Sequence, residues 1–287
     1  MGVRKWAGAI LIPGVLVAGC TQESTAGSAG TDVSPGTSAA PSGGASGGAP
    51  GGPSGGASSK PRGPGVAAPG TSGTPTSPQV RRKLKPGAKG ADVKELQRRL
   101  KALHYDPGPA DGRYGTSTQI AVWAFQAVNR LKMSGTVGKR VWAALDAPRR
   151  PAPVAKRREA DRVDVDLRRQ YLVVYRRGEP ALITHVSSGS GEYYCAKDRG
   201  ATVARCRYAT TGTGDFRTGR RASGWEVSPL GRLYNPIYFN GGIAFHGALD
   251  VPRYPASHGC VRLPMHIAEY FPKLVKTNVA VHVRRPK

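Results

Sequence analysis

The sequence predicts a multi-domain chain: a small all-α domain of three helices followed by a mainly β domain, both behind a long low-complexity segment. Three observations carry this. Apolar residues recur at helical spacing between residues 84 and 147. From Val163 the pattern changes to alternation broken by hairpin turns. Residues 21–83 contain no aromatic residue, no leucine and no isoleucine, so they cannot bury enough apolar surface to offset chain entropy. At 287 residues the chain has room for about two ordinary domains.

The elements follow in order. Arg4 and Lys5 precede an apolar run, Trp6 to Val17, that ends in Leu16-Val17-Ala18-Gly19-Cys20. A positive start and a short apolar core read as an export signal, too short for a comfortable transmembrane helix. Its ending resembles a bacterial lipobox, which implies that residues 1–20 are a lipoprotein-type signal peptide and that Cys20 is lipidated. A plain secretory signal is the alternative. Residues 21–83 follow as a disordered Gly/Ser/Pro/Ala linker, with a coil span of roughly 45 Å.

Gly90-Ala91-Asp92 offers a helix start before Val93, Leu96, Leu100 and Leu103. Asp106-Pro107-Gly108-Pro109 and Asp111-Gly112 break the chain. A second helix starts near Thr116 to Thr118 and carries Ile120, Val122, Trp123, Phe125 and Val128; Val141, Trp142 and Leu145 suggest a short third. The order Gly87, Gly90-x-x-Val93-x-x-Leu96-Gln97, Asp111-Gly112-x-Tyr114-Gly115, Ala121-Val122-x-x-Phe125-Gln126 and Gly135-x-Val137-Gly138 is similar to the peptidoglycan-binding module of wall hydrolases. That resemblance implies peptidoglycan as the ligand of residues 84–147. Asp111, Gly112 and Gln126 are either ligand contacts or structural, and His104 is expected at a helix end rather than on a metal.

A second linker at 148–160 leads to the domain at 161–287. Val163, Val165 and Leu167 alternate with charged positions; Tyr171 to Tyr175, the turn Arg177-Gly178-Glu179-Pro180 and Ala181 to Ser187 read as a hairpin. Ile237 to Phe239 and Ile243 to Phe245 flank the turn Asn240-Gly241-Gly242, one helix is expected from Pro264 to Val275, and Val279 to Val283 is a final strand. His185, His266 and His282 fall in these patterns and are expected to be structural.

Ser257-His258-Gly259-Cys260-Val261-Arg262 places a cysteine beside a histidine, and His246 stands fourteen residues upstream of Cys260 in Ala244-Phe245-His246-Gly247. A thiolate is the nucleophile in thiol-based acyl transfer, and a neighbouring imidazole generates it. His258 lies two residues from Cys260, so on an extended segment both side chains point the same way. That suits it to bind substrate or polarise a carbonyl. Gly259 leaves the backbone open to substrate, and the N–H groups of Gly259 and Cys260 are expected to form an oxyanion site. Cys260 as a small buried hydrophobe, as a disulfide partner, or with His246 and His258 as a zinc site are the competing readings. The zinc reading is weak, because no C-x-x-C pair occurs.

The segment Gly241 to Gly247, Val251 to Ala256 and Ser257 to Pro264, with Thr211-Gly212-Thr213-Gly214-Asp215-Phe216, Gly224-Trp225 and Leu233 to Phe239 upstream, resembles the signature of the L,D-transpeptidases. It spans residues 161–285. Arg262 stands where many members carry asparagine, and Thr211 where proline is common. The resemblance implies a β-sandwich-like catalytic fold and a Cys260 nucleophile with His246 as general acid/base, oriented by the Gly247 carbonyl. It further implies acylation of Cys260 by a tetrapeptide stem and transfer to an amine, giving a 3→3 crosslink. Carbapenem-type acylation is implied as well. Arg262 is a candidate for a substrate carboxylate or a structural ion pair. Ser257 is placed in the site or in a turn; Tyr238, with Tyr234 and Trp225, lines the cleft or packs in the core.

The formal charge of +25 arises from 43 basic residues against 18 acidic ones. The basic residues are scattered without a nucleic-acid-binding motif, which argues against nucleic acid. Peptidoglycan stem peptides and glycan, a membrane reached through the lipid anchor, and anionic envelope polymers are the expected partners. The expected location is extracytoplasmic. No metal and no cofactor are required, because a thioester conserves the energy of the broken peptide bond. Export permits a Cys195–Cys206 disulfide. The same residues serve L,D-carboxypeptidase activity or protein-to-wall attachment, and a non-catalytic wall-binding lipoprotein is the alternative of another class.

Overall fold

The computed structural model describes residues 81–286 except 157, 158 and 199. The export signal, Cys20 and nearly all of the 21–83 linker lie outside the described residues. No helix among the described residues is long and apolar enough to cross a membrane.

Three helices open the folded part: α1 (Ala91–Ala102), α2 (Thr116–Val128) and α3 (Lys139–Asp146). Gly90 precedes α1 at φ 122°, a conformation that excludes most side chains. Val93, Leu96 and Leu100 of α1, Phe125 of α2 and Trp142 of α3 meet in one core.

The rest is mainly β. Strands β1 (Arg162–Asp166), β2 (Tyr171–Arg176), β3 (Glu179–His185), β4 (Tyr193–Lys197), β5 (Ala204–Tyr208) and β6 (Gly214–Arg217) are followed by β7 (Trp225–Ser228), β8 (Gly231–Asn240), β9 (Ile243–Ala248) and β10 (Val261–Pro264). Two short helices, α4 (Met265–Ala268) and α5 (Phe271–Leu274), precede β11 (Ala280–Arg284). The single helix expected from Pro264 to Val275 is therefore broken. Pro272 sits in the first turn of α5, where its missing N–H costs nothing.

The strands form a five-stranded sheet of order β3-β2-β1-β11-β6, a four-stranded sheet of order β10-β9-β8-β7, and the separate β4-β5 hairpin. The two larger sheets face each other across a core of Val163, Leu172, Val174, Ile237, Phe245 and Val261, which α4 and α5 close with Ile267 and Phe271.

The opposite face of β2 and β3 is not solvated. Tyr171, Val173, Tyr175 and Ile183 belong to the core of the helical module. The Ile183 N–H donates to the carbonyl of His104 at 2.8 Å, one residue beyond the α1 cap. Alternation along β2 thus serves two buried faces.

The charged positions of β1 are also buried: Arg162, Asp164 and Asp166 are at most 4% exposed. Arg162 bonds Asp164 at 3.2 Å and the carbonyl of Glu159 at 2.9 Å, and it stacks over Tyr175. Burial pushes the Asp164 carboxyl up against the pull of Arg162.

Candidate active site

The β8–β9 turn and the start of β10 build the site. Parallel pairing puts Arg262 beside His246 and Val261 beside Phe245, so Cys260 enters at the mouth of the turn. The Cys260 thiol donates to the Gly242 carbonyl at 3.7 Å, and the Ala244 N–H faces the sulfur. Burial pushes the thiol up, opposed by that N–H and by the Arg262 guanidinium.

His246 is 6% exposed. Its Nδ1 lies 2.9 Å from the Gly247 carbonyl. A carbonyl only accepts, so Nδ1 carries the proton and Nε2 is left as the base. Burial depresses His246 to about 4, helped by Arg262 and opposed by the Gly247 bond. The imidazole is therefore neutral at physiological pH. Glycine is needed at 247 for space, since a Cβ there would lie 2.7 Å from Ala268 Cβ in α4.

His258 is exposed at the cavity and lies edge-on to Tyr194 of β4, with ring centroids 4.7 Å apart. Cys195 and Cys206 form a disulfide across the β4–β5 hairpin. The next cross-strand pair, Tyr194 and Arg207, is joined by a 2.8 Å bond from Arg207 Nε to the tyrosine hydroxyl.

One expectation is corrected. The Gly259 N–H donates to Ser257 Oγ at 3.0 Å rather than facing an oxyanion. Of the two readings of Ser257, its geometry fits the turn: its hydroxyl donates to the Cys260 carbonyl at 2.5 Å, although the residue also lines the cavity. Gly259 is required for its backbone, with φ 133° and the Thr210 carbonyl 3.0 Å from where a Cβ would stand. The Cys260 N–H is the remaining candidate of the expected pair.

Thr211, which stands where proline is common in the family, donates its hydroxyl to the Gly259 carbonyl at 2.5 Å and receives the Gly189 N–H at 2.9 Å. It clamps the nucleophile turn. In the helical module, Gln126 bonds the backbone of residues 134–136 and Asp111 accepts from Gln97 and the Arg113 N–H. Both side chains are thus committed internally. His185 and His266 also meet backbone, bonding the carbonyls of Pro252 and Asp106, whereas His282 lies between Glu159 and Asp215.

A cavity of about 1270 Å³ joins these groups, lined by His246, His258, Cys260 and Arg262 together with the β4–β5 and β7–β8 hairpins. Tyr238 lines it, with its hydroxyl on Glu226 at 3.0 Å and Arg220 over its ring. Trp225 lines it too, whereas Tyr234 packs against the core between the sheets. Arg262 has no ion-pair partner among the described residues, so the ion-pair reading lacks a carboxylate. Sequence motifs gave no sign of Tyr194, Arg207, Arg220, Glu226 or Asp250, because their roles depend on which hairpins flank the cavity.

Residues 89–145 match the putative peptidoglycan binding domain, and residues 160–283 match the L,D-transpeptidase catalytic domain. Fold and matches together define a peptidoglycan-directed protein with a catalytic domain of this class. The chain superposes on the crystal structure of the L,D-transpeptidase from Xylanimonas cellulosilytica at 38% identity and TM-score 0.65, covering 73% of this chain and 100% of that one. The chain belongs to the L,D-transpeptidase family. An L,D-transpeptidase from Stackebrandtia nassauensis matches at 23% identity and TM-score 0.41, over 71% of this chain and 96% of that one. The carboxy-terminal processing protease CtpB of Bacillus subtilis is 37% identical over 68 residues, which are 24% of this chain and 14% of the protease.

Proposed function

We propose that the chain is a peptidoglycan L,D-transpeptidase that forms 3→3 crosslinks through a Cys260 thioester. The observation that carries this reading is that His246 of β9, its Nε2 unprotonated, and Cys260, the residue before the paired strand β10, line one cavity. Cys260 sulfur attacks the carbonyl of stem residue three and passes its proton to His246. The peptide C–N bond breaks, and the leaving D-alanine amine takes that proton. An acceptor amine then attacks the thioester, the C–S bond breaks, and His246 returns the amine's proton to the sulfur. The Cys260 N–H and His258 stabilise the oxyanion, and Arg262 receives a donor carboxylate. Gly247, Ser257, Gly259 and Thr211 hold these groups in place, while Tyr238 forms part of the cavity wall.

Lipidation of Cys20, export to the wall and contact with anionic envelope polymers complete the proposal; they rest on the N-terminal sequence and the net charge.

Incubation with disaccharide-tetrapeptide, read by tandem mass spectrometry, tests it. The expected product is a dimer lacking one D-alanine, with a stem adduct on Cys260 and neither formed by Cys260→Ala. Tripeptide alone supports the carboxypeptidase reading. Wall binding without any adduct supports the idle wall-binder and overturns the proposal.

A further inference from the structure

The helical module touches the chain behind each member of the catalytic pair. The first set of contacts lies behind His246. The Gly247 carbonyl that orients the imidazole belongs to a residue backed by α4: a Cβ at 247 would stand 2.7 Å from Ala268 Cβ and 3.1 Å from Met265 Sδ. α4 has only four residues, too few to hold their place by helical bonding alone. Ile267 and a bond from the Asn235 amide to the Ala268 carbonyl fix it from the catalytic domain.

The other contacts around α4 come from the helical module. His266 Nε2 lies 3.3 Å from the Asp106 carbonyl, and its Nδ1 lies 3.3 Å from Ser117 Oγ of α2. A carbonyl only accepts, so Nε2 carries the proton and Nδ1 accepts from the serine. Just beyond α4, the Tyr270 hydroxyl donates to Asp106 Oδ2 at 2.8 Å. Burial and that bond push the Tyr270 hydroxyl up, so it keeps its proton. Asp106 is itself fixed, because its Oδ1 accepts the Gly108 N–H at 2.9 Å.

The second set lies on the loop between β9 and β10, which ends in the nucleophile turn. The Pro252 carbonyl stands 2.9 Å from His185 Nε2. Arg253 donates to the Met133 carbonyl at 2.7 Å and lies over Trp123, 5.8 Å from the ring centroid. Trp123 also meets His185 edge-on at 5.4 Å. One indole of α2 thus stands against the groups that hold two consecutive loop residues. From there Ser187 takes the Tyr254 carbonyl, and the Ser188 carbonyl takes the Ser257 N–H, which carries the path to the turn that bears Cys260. A cavity of about 570 Å³ has Ser117, Trp123, Pro252 and His266 on its walls. Beside it, α2 reaches the catalytic elements through individual side chains.

We propose that the helical module positions the catalytic pair. His266 and Tyr270 carry its hold to Gly247 and the His246 imidazole, and Arg253 carries it to the loop that delivers Cys260. These three are positioning residues, and none of them lines the active-site cavity. The inference rests on the transpeptidase reading for the roles of His246 and Cys260. Nucleophile and base must meet at hydrogen-bond distance, and a misplacement of about 1 Å costs about a hundredfold in rate.

The test uses the whole chain with Arg253→Ala, Arg253→Lys, His266→Ala and Tyr270→Phe, and a triple variant of Arg253→Ala, His266→Ala and Tyr270→Phe. Release of D-alanine from a tetrapeptide stem gives kcat and KM. Proton–nitrogen NMR spectra follow the His246 imidazole and the Cys260 amide, and thermal unfolding shows which variants are folded. The expected kcat is about tenfold lower in Arg253→Ala and His266→Ala and about a hundredfold lower in the triple variant, with KM changed less than about threefold. Arg253→Lys, which still donates to the Met133 carbonyl, retains most of the rate. The His246 signal moves in His266→Ala and Tyr270→Phe, and the Cys260 signal moves in Arg253→Ala. A folded triple variant with an unchanged kcat overturns the proposal, as does a fall in kcat with both signals unmoved. Arg253→Ala, at an exposed position, is judged by the same criteria should the triple variant not fold. Absence of release by the unaltered chain shows that the transpeptidase reading has failed; the two signals then decide alone, and unmoved signals overturn the positioning role.

Discussion

Tyr194 meets His258 edge-on, ring centroids 4.7 Å apart at 65°, and so ties the exposed histidine of the site to a hairpin outside both larger sheets. An aromatic pair of this kind is worth about 0.5–1.5 kcal/mol. Tyr194→Ala is expected to lower kcat/KM by up to about tenfold, and Tyr194→Phe, which keeps the ring, much less. Steady-state crosslinking assays check this. Equal losses in the two variants would show that the hydroxyl, not the ring, matters.

The β4–β5 hairpin has no core of its own, since every residue of β5 is exposed. A lone two-stranded hairpin is marginal in water. The Cys195–Cys206 bond closes a loop of sequence separation 11, worth about 3 kcal/mol by chain entropy. Replacing both cysteines with alanine is expected to abolish amide protection across residues 193–208 while moving the chain's Tm little. Hydrogen exchange with mass spectrometry reads both, and retained protection would count against the disulfide as the hairpin's main support.

The two modules share apolar surface through Tyr171, Val173, Tyr175 and Ile183, so they are expected to unfold together. Phe125→Ala, at a fully buried position, should cost about 3–5 kcal/mol and lower one common transition. Differential scanning calorimetry showing two transitions, only one of them displaced, would contradict this.

Much of this fold was legible in the sequence. The three helices follow from the spacing of Val93, Leu96 and Leu100 after Gly90, of Ile120, Trp123 and Phe125, and of Val141, Trp142 and Leu145, and the β8–β9 hairpin follows from Asn240-Gly241-Gly242. The break in the α4–α5 region was not read, although Pro272 marks it. The burial of Asp164 and the joint core escaped as well, because period-two alternation does not reveal what covers the polar face. In the site, the residues inside the motifs, such as His246, His258 and Cys260, were found, whereas Tyr194 and Arg207 of the β4–β5 hairpin were missed. The oxyanion assignment of Gly259 failed because spacing cannot show that Ser257 Oγ intercepts its N–H.

His246 and His185 are both depressed to about 4 by burial, from an ordinary 6.5. The unfolded chain therefore binds more protons than the folded one between those values. Their stabilisation is complete above about pH 6.5 and is lost as the pH falls toward 4, on the order of 3 kcal/mol for each group. Tm measured from pH 8 to pH 4 should drop across that window, less steeply in His246→Asn. A flat profile between pH 7 and pH 5 would refute the assignment. Because the thiol is pushed up while the imidazole is pushed down, alkylation of Cys260 in the free enzyme should accelerate only above the ordinary thiol range, without an inflection near 6.

The surface shared by the helices and the outer face of β2 and β3 also has a directional consequence. Wherever the helical module grips a glycan strand, the mouth of the cavity is held at a set distance and bearing from that strand. Under the proposed crosslinking activity such a molecule would act as a gauge: only stems at one offset from its grip would be joined, and the spacing of neighbouring strands would become part of what it selects.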